Sequence, residues 1–185
     1  MVKRMKTNGK IVITVICMCL VIIVAGLLIY DSFGITVEGD GAAVKVPNTF
    51  GFDDEGFLTN DDYTVFLCPV VDATPKDEAK FFKVIKSNGK SSGYENVTTK
   101  TINGYKVYDY AASPHKMKNV TSGGVTYEPY LPFGIDDCDH FRIVTYVKGE
   151  TVNYLIIFTD YPDVDLYTPE VEKIIDSVRE PKGII

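Results

Sequence analysis

The sequence predicts an α+β fold, in which an N-terminal transmembrane helix is followed by one antiparallel sheet domain covered by two helices. Three features predict it. Residues 11–30 carry no charged side chain. Short apolar runs separated by turn residues follow them and are typical of strands joined in hairpins. Two later segments, near residues 74–87 and 168–178, have the apolar periodicity of helices that pack on one face of a sheet.

Residues 11–30 have the length of a membrane-spanning helix. Twenty residues at about 1.5 Å each extend roughly 30 Å, the thickness of a bilayer's hydrocarbon core. Four basic residues and no acidic residue precede the segment, namely Lys3, Arg4, Lys6 and Lys10. Because positive charge favours the cytoplasmic side, we expect residues 1–10 in the cytoplasm, a single-pass signal-anchor at 11–30, and residues 31–185 outside the cell membrane. A signal peptide cleaved after Gly26 is the alternative.

The segment after residue 30 is acidic. It carries 15 basic and 25 acidic side chains, a net charge of −10. Nucleic-acid binding needs basic surface to displace counterions from phosphate. The charge balance therefore excludes nucleic acid as an expected partner.

The first strands of the outer domain are short. Strands are predicted at 35–39 and 42–47, around a turn at residues 39–41, and again at 57–59. Residues 63–71 form a nearly continuous apolar run, which is typical of a central strand. Pro69 marks a bulge or the end of this strand.

Capping signals place both helices. Thr74 precedes Pro75 and lies three residues before Asp77, an arrangement that begins a helix ending near residue 87. Thr168-Pro169 repeats the signal. The closing helix has its apolar residues at one face in the pattern i, i+3, i+4 and i+7, at Val171, Ile174, Ile175 and Val178.

Two hairpins lie between the helices. Asn103-Gly104, the strongest short turn signal, joins predicted strands at 96–102 and 105–111. A second hairpin joins 140–147 to 151–159. Residues 113–134 are predicted to be irregular.

This order of elements resembles the PsbP-like fold family over about residues 42–179. The residues that carry the likeness are the runs 43–47, 103–110, 154–158 and 170–178. The chain departs from the family in its insert at 113–134 and in lacking the tryptophan often found after the first hairpin. The resemblance implies an α+β domain that binds other proteins rather than catalysing a reaction.

No catalytic, metal-binding or cofactor-binding residue is predicted. The chain has two histidines, His115 and His140, and no Gly-x-Ser-x-Gly motif. A surface hydrolase or metal-dependent enzyme remains the alternative. It would use Cys138, His140 and the acidic residues at 136–139.

The two cysteines beyond the apolar segment are expected to form a disulfide between Cys68 and Cys138, since thiols in an oxidising exterior tend to pair. Two unrelated thiols are the alternative. Asn96 and Asn119 each begin an Asn-x-Thr sequon and are the candidate glycosylation sites.

Tyr127, Tyr130 and Phe133 concentrate aromatic rings in the irregular segment and are the candidate partner surface. The alternative is that these rings fold back onto the sheet. We therefore expect a membrane-anchored extracytoplasmic protein-interaction module without catalytic activity, bound to the membrane through residues 11–30 and to an unknown protein. An envelope sensor or transporter accessory subunit is a further alternative.

Overall fold

The computed structural model of the chain describes residues 34–54, 56–70, 73–128 and 135–182. The predicted N-terminus and membrane segment, at residues 1–10 and 11–30, lie outside this part. Within it, no helix is long and apolar enough to cross a membrane, which contradicts the transmembrane, single-pass architecture predicted from the sequence. The two α-helices described have 14 and 8 residues, whereas a membrane-spanning helix needs about 20.

The expected fold class is also wrong, because the structure is mostly β. Strands make up 45% of it and helices 21%. Its strands are β1 (Gly34–Glu38), β2 (Ala43–Pro47), β3 (Gly51–Phe52), β4 (Leu58–Thr59), β5 (Thr64–Pro69), β6 (Tyr94–Ile102), β7 (Tyr105–Ala112), β8 (Val120–Ser122), β9 (Val125–Tyr127), β10 (His140–Lys148) and β11 (Thr151–Thr159). Its helices are α1 (Pro75–Asn88) and α2 (Pro169–Asp176), and short 3-10 turns lie at Gly89–Ser92, Pro114–Lys116 and Ile135–Asp137.

Seven strands form one antiparallel sheet in the order β3-β4-β5-β11-β10-β7-β6. Hairpins β1–β2 and β8–β9 are separate two-stranded sheets. The predicted hairpin turn at Asn103-Gly104 is confirmed, because Ile102 pairs with Tyr105 across it. Residues 113–134 were expected to be irregular, but they contain the β8–β9 hairpin.

The central strands are buried on both faces, so the sheet needs a cover on each side. Along β10, Val144 and Tyr146 belong to one core cluster, while Phe141 and Ile143 belong to another. Side chains alternate between the faces of a strand. The two clusters therefore lie on opposite sides of the sheet.

The two helices cover opposite faces rather than one face as the sequence suggested. Helix α2 and hairpin β1–β2 pack on the first face, with Ile174, Ile175 and Val44 in its core. Helix α1 packs on the second face through Phe82 and Ile85. The amphipathic stripe of a helix shows that one side of the helix is buried, but it does not show which face of the sheet buries it.

Both helix starts are confirmed. The Thr168 side chain accepts a hydrogen bond from the Val171 N–H at 3.2 Å, with Pro169 in the first turn. At α1, Thr74 Oγ1 accepts from the Asp77 N–H at 3.2 Å and donates to Asp77 Oδ2 at 2.6 Å.

Candidate functional site

Arg142, the third residue of β10, is a buried charged side chain with several internal hydrogen bonds. The residue is 1% exposed. Its Nε donates to Asp109 Oδ1 at 2.9 Å, and Nη2 donates to Asp109 Oδ2 at 2.6 Å. Nη1 donates to the Leu166 carbonyl at 2.9 Å, and Nη2 lies 2.7 Å from Glu172 Oε1 on α2. The network therefore joins β7, β10, α2 and the segment that precedes α2.

The positive charge of Arg142 is balanced by the carboxylates of Asp109 and Glu172. Burial disfavours the charged guanidinium, but the hydrogen bonds and charge of Asp109, and then of Glu172, outweigh it and raise the pKa of Arg142. Burial likewise opposes ionisation of Glu172, yet Arg142 and then Lys100 hold the pKa of this carboxyl below its usual value. A buried cation is tolerated when its partners are present and well placed. Arg142 therefore directs its side-chain nitrogens at internal oxygen atoms and links elements of the fold.

Tyr167 stacks on the Arg142 guanidinium. Its ring centroid lies 4.1 Å from Arg142 Cζ, and its N–H donates to Asp165 Oδ1 at 2.8 Å. The Tyr167 hydroxyl is buried. Burial raises the pKa of Tyr167 to about 12, although the Asn96 side chain opposes the shift, so the hydroxyl keeps its proton at neutral pH.

A groove of about 330 Å³ opens beside Tyr167, between the first residues of β6, the end of β7 and residues 162–167. The polar residues of its wall include Glu95, Asn96, Lys116, Asp139 and Asp165. Asn96 has a left-handed backbone, with φ at 52°, where the pairing of β6 with β7 shifts register. Three carboxyl groups and one lysine give the wall an acidic balance, and the volume lies within the range of small-ligand sites.

A second groove of about 600 Å³ lies on the other side of the same segment, and Val164 and Asp165 line both. Tyr63 in this groove donates its hydroxyl to Glu170 Oε2 at 2.8 Å. Burial, with Glu170 contributing, raises the pKa of Tyr63 to about 12. The segment at 162–168 therefore separates two acidic grooves, and we call it the ridge. The hydrogen bond from Arg142 to the Leu166 carbonyl fixes its position.

His140 and Cys138 do not converge. His140 Nδ1 lies 3.0 Å from Asp139 Oδ2, and Nε2 lies 2.6 Å from the Val164 carbonyl. Both ring nitrogens therefore face oxygen acceptors. Cys138 is buried in the core under α1, on the other face of the sheet. This geometry does not form the nucleophile–base pair that the hydrolase alternative requires, and no cluster of metal-ligating side chains occurs among the described residues.

The structure contradicts the expected disulfide. Cys68 lies opposite Tyr154 on β11, whereas His140, just after Cys138, lies opposite Thr159 on the same strand. Five positions along a strand extend about 17 Å, but a disulfide needs Cα atoms within about 7 Å. Both residues are present as thiols. Because β5 and β10 both run antiparallel to β11, the end of one and the start of the other lie at opposite ends of the sheet.

The remaining candidates fall in different places. Asn96 and Asn119 are both exposed, the first at the register shift of β6 and the second just before β8. The Tyr127 ring packs on Phe81 of α1 at 6.3 Å, so this ring does fold back onto the domain. Tyr130 and Phe133 lie outside the described residues.

Sequence reasoning missed Arg142, Asp109 and Tyr167. A signal was present for the first two, since each is a charged residue within a predicted strand of apolar neighbours. A charge in such a position requires a buried partner. The partner itself depends on strand register, which the sequence does not reveal.

A scan of protein-family models and a search of curated proteins found no match to this chain.

Proposed function

We propose that this protein is a non-catalytic interaction module that binds a basic segment of another protein in the groove beside Tyr167. The observation that carries the proposal is the acidic balance of the groove wall. Complementary charge steers a basic segment toward such a wall and fixes its position there.

The charge of the wall supports a basic ligand. Glu95, Asp139 and Asp165 outnumber Lys116, and the nearby Arg142 is already neutralised by Asp109 and Glu172. A lysine or arginine side chain entering the groove would meet carboxylates without displacing an internal ion pair. The resemblance to PsbP-like proteins, which bind other proteins, is consistent with this proposal.

The internal hydrogen bonds of Arg142 and His140 favour a binding role over a catalytic one. General-base catalysis needs a group that is free to take a proton from a substrate. Arg142 and His140 instead direct their nitrogens at internal oxygen atoms. We therefore propose recognition, with these residues holding the ridge at 162–168 in place.

Photo-crosslinking in the native cell tests the proposal. A photoreactive residue at Asn96, at the edge of the groove, should capture a protein through a segment rich in lysine or arginine. The same residue placed at Thr121, on the exposed β8–β9 hairpin, is the control. Substituting Glu95→Gln with Asp165→Asn removes two negative charges from the wall at nearly constant side-chain size and should reduce the yield at Asn96. Equal yields at both positions, unchanged by this double substitution, would contradict groove binding.

A further inference from the structure

Helix α1 exposes four lysines along one side. Lys76, Lys80, Lys83 and Lys86 are all exposed and are spaced i, i+4, i+7 and i+10. At about 1.5 Å per residue they extend over roughly 15 Å of the helix. The opposite side of α1 is buried against the sheet through Phe82 and Ile85. We call the four side chains the lysine face.

The lysine face is unfavourable for the isolated domain. Like charges three or four residues apart on a helix repel each other, and the lysine face has three such neighbouring pairs. Lys76 also lies in the first turn, where the helix dipole disfavours a positive charge. The acidic residues of α1 compensate only in part, because Glu78 is buried and Asp77, which accepts a hydrogen bond from the capping Thr74, lies within 3.8 Å of Lys80 alone among the four lysines.

The rest of the chain makes this concentration of positive charge distinctive. The whole protein has a net charge of −6. Lys106 of β7 adds a further positive charge on the side of the sheet that α1 covers, since its Nζ lies 4.9 Å from the centroid of the Tyr108 ring, which in turn contacts Phe82 of α1 at 4.8 Å. Helix α2, on the opposite side of the sheet, has acidic residues at Glu170, Glu172 and Asp176. The two helices therefore carry opposite net charge, positive on α1 and negative on α2.

We propose that the lysine face docks an acidic segment of a protein partner, with about four carboxylates spaced over roughly 15 Å. An acidic helix with carboxylates at i, i+4, i+7 and i+10 would match the lysine spacing. This surface is on the other side of the sheet from the Arg142 network, and the inference does not depend on groove binding.

Other polyanions fit less well. A bilayer surface is bound most strongly when apolar side chains accompany the basic ones, but the exposed large apolar residues of the described chain, Phe52, Val125 and Tyr161, all lie outside α1. Nucleic acid is a long polyanion that would bring phosphates near the acidic surfaces as well. A short acidic segment engages the lysine face alone.

The test measures binding of the full-length protein to a labelled helical 14-residue peptide with four glutamates at this spacing. A peptide of the same composition with the glutamates on different sides of the helix is the ligand control. Fluorescence anisotropy should show tighter binding of the first peptide. The affinity should fall as salt is raised, because screening shortens the Debye length from about 10 Å at 0.1 M.

Charge reversal at the lysine face should weaken this binding. Lys80→Glu with Lys83→Glu should raise the Kd roughly tenfold or more, since two attractive pairs become repulsive. The matched control, Lys173→Glu with Lys182→Glu, makes the same change of charge at exposed positions elsewhere and should change the Kd by less than about twofold. Arginine at positions 80 and 83 should retain binding, which shows that charge rather than folding is responsible.

Three results would overturn the proposal. The first is that the control reversal weakens binding as much as the reversal at the lysine face. The second is that the two peptides bind equally. The third is that vesicles of phosphatidylserine and phosphatidylcholine bind more tightly than the matched peptide. The last result would assign the lysine face to a membrane surface instead.

Discussion

Asp109 and Arg142 form a two-bond ion pair in the interior of the domain, with Nε donating at 2.9 Å and Nη2 at 2.6 Å. The side chains are 4% and 2% exposed. The pair links two neighbouring strands, because Asp109 lies on β7 and Arg142 on β10. It also holds the Leu166 carbonyl and the Tyr167 ring, so stability and the shape of the groove depend on the same contact.

Removing one partner of this pair should destabilise the domain strongly. Asp109→Asn keeps the size of the side chain but leaves the buried guanidinium with Glu172 as its remaining anion. We expect a loss of about 3–5 kcal/mol in the free energy of unfolding, measured by urea denaturation. Lys100→Ala breaks an ion pair with Glu172 that is about one-third exposed and should cost at most about 1 kcal/mol. Equal losses in the two variants would contradict a structural role for the pair.

Asn153 should be a site of stabilising substitution. The residue is 1% exposed, and neither its amide nitrogen nor its carbonyl oxygen has a hydrogen-bond partner among the described residues. Because an unsatisfied buried polar group costs about 1–3 kcal/mol, Asn153→Leu, which has a similar shape, should raise the free energy of unfolding by about that amount. Asn153→Asp should lower it, because a buried charge replaces a neutral amide. A lower melting temperature for Asn153→Leu would show that its amide is satisfied.

Local signals in the sequence predicted the elements of the fold well. Thr74 and Thr168 cap their helices as expected, because capping depends on residues within one turn. The turn at Asn103-Gly104 is likewise a local preference, and Asn103 adopts the left-handed φ of 50° that such turns require. These features need no information about distant residues.

Relationships between elements were not predictable in the same way. The faces that α1 and α2 cover depend on how the chain crosses the sheet, and a stripe such as Ile174 and Ile175 fits either face. The expected Cys68–Cys138 disulfide does not form, because β5 and β10 both pair antiparallel with β11 and place the two cysteines at opposite ends of the sheet. The pairing of Arg142 with Asp109 could not be predicted for the same reason, since it depends on the register between β10 and β7, which the whole sheet determines.

Glu78 should make stability depend on pH. Burial of Glu78, which is part of α1, raises the pKa of this carboxyl, although hydrogen bonds from Tyr154 and Thr145 oppose the shift and the charge of Asp77 adds to it. The folded protein therefore binds a proton that the unfolded chain has released. The resulting stability is fully present below the unfolded pKa, about 4.3, and is lost as pH rises through the folded value.

Glu78→Gln removes this titration while keeping the size of the side chain. Its free energy of unfolding, relative to the unmodified protein, should increase as the pH is raised from about 4 to 7. Denaturation curves at several pH values measure the difference, and subtracting the two proteins cancels groups that titrate in both. Parallel pH profiles would show that Glu78 keeps an ordinary pKa.

Gly93 should tolerate alanine less well than Gly124, although both have a left-handed backbone, with φ at 84° and 80°. A Cβ on Gly93 would lie 2.3 Å from the Lys116 carbonyl oxygen, which is fixed in the chain and has no rotamer to change. A Cβ on Gly124 would meet nothing within 4 Å. Gly124→Ala should therefore cost only the backbone strain, about 1–2 kcal/mol. Gly93→Ala should cost that amount and the energy of moving the 3-10 turn at Pro114–Lys116 away from the start of β6. Thermal unfolding of the two variants measures the difference, and equal shifts would show that the approach of Lys116 to Gly93 is not tight.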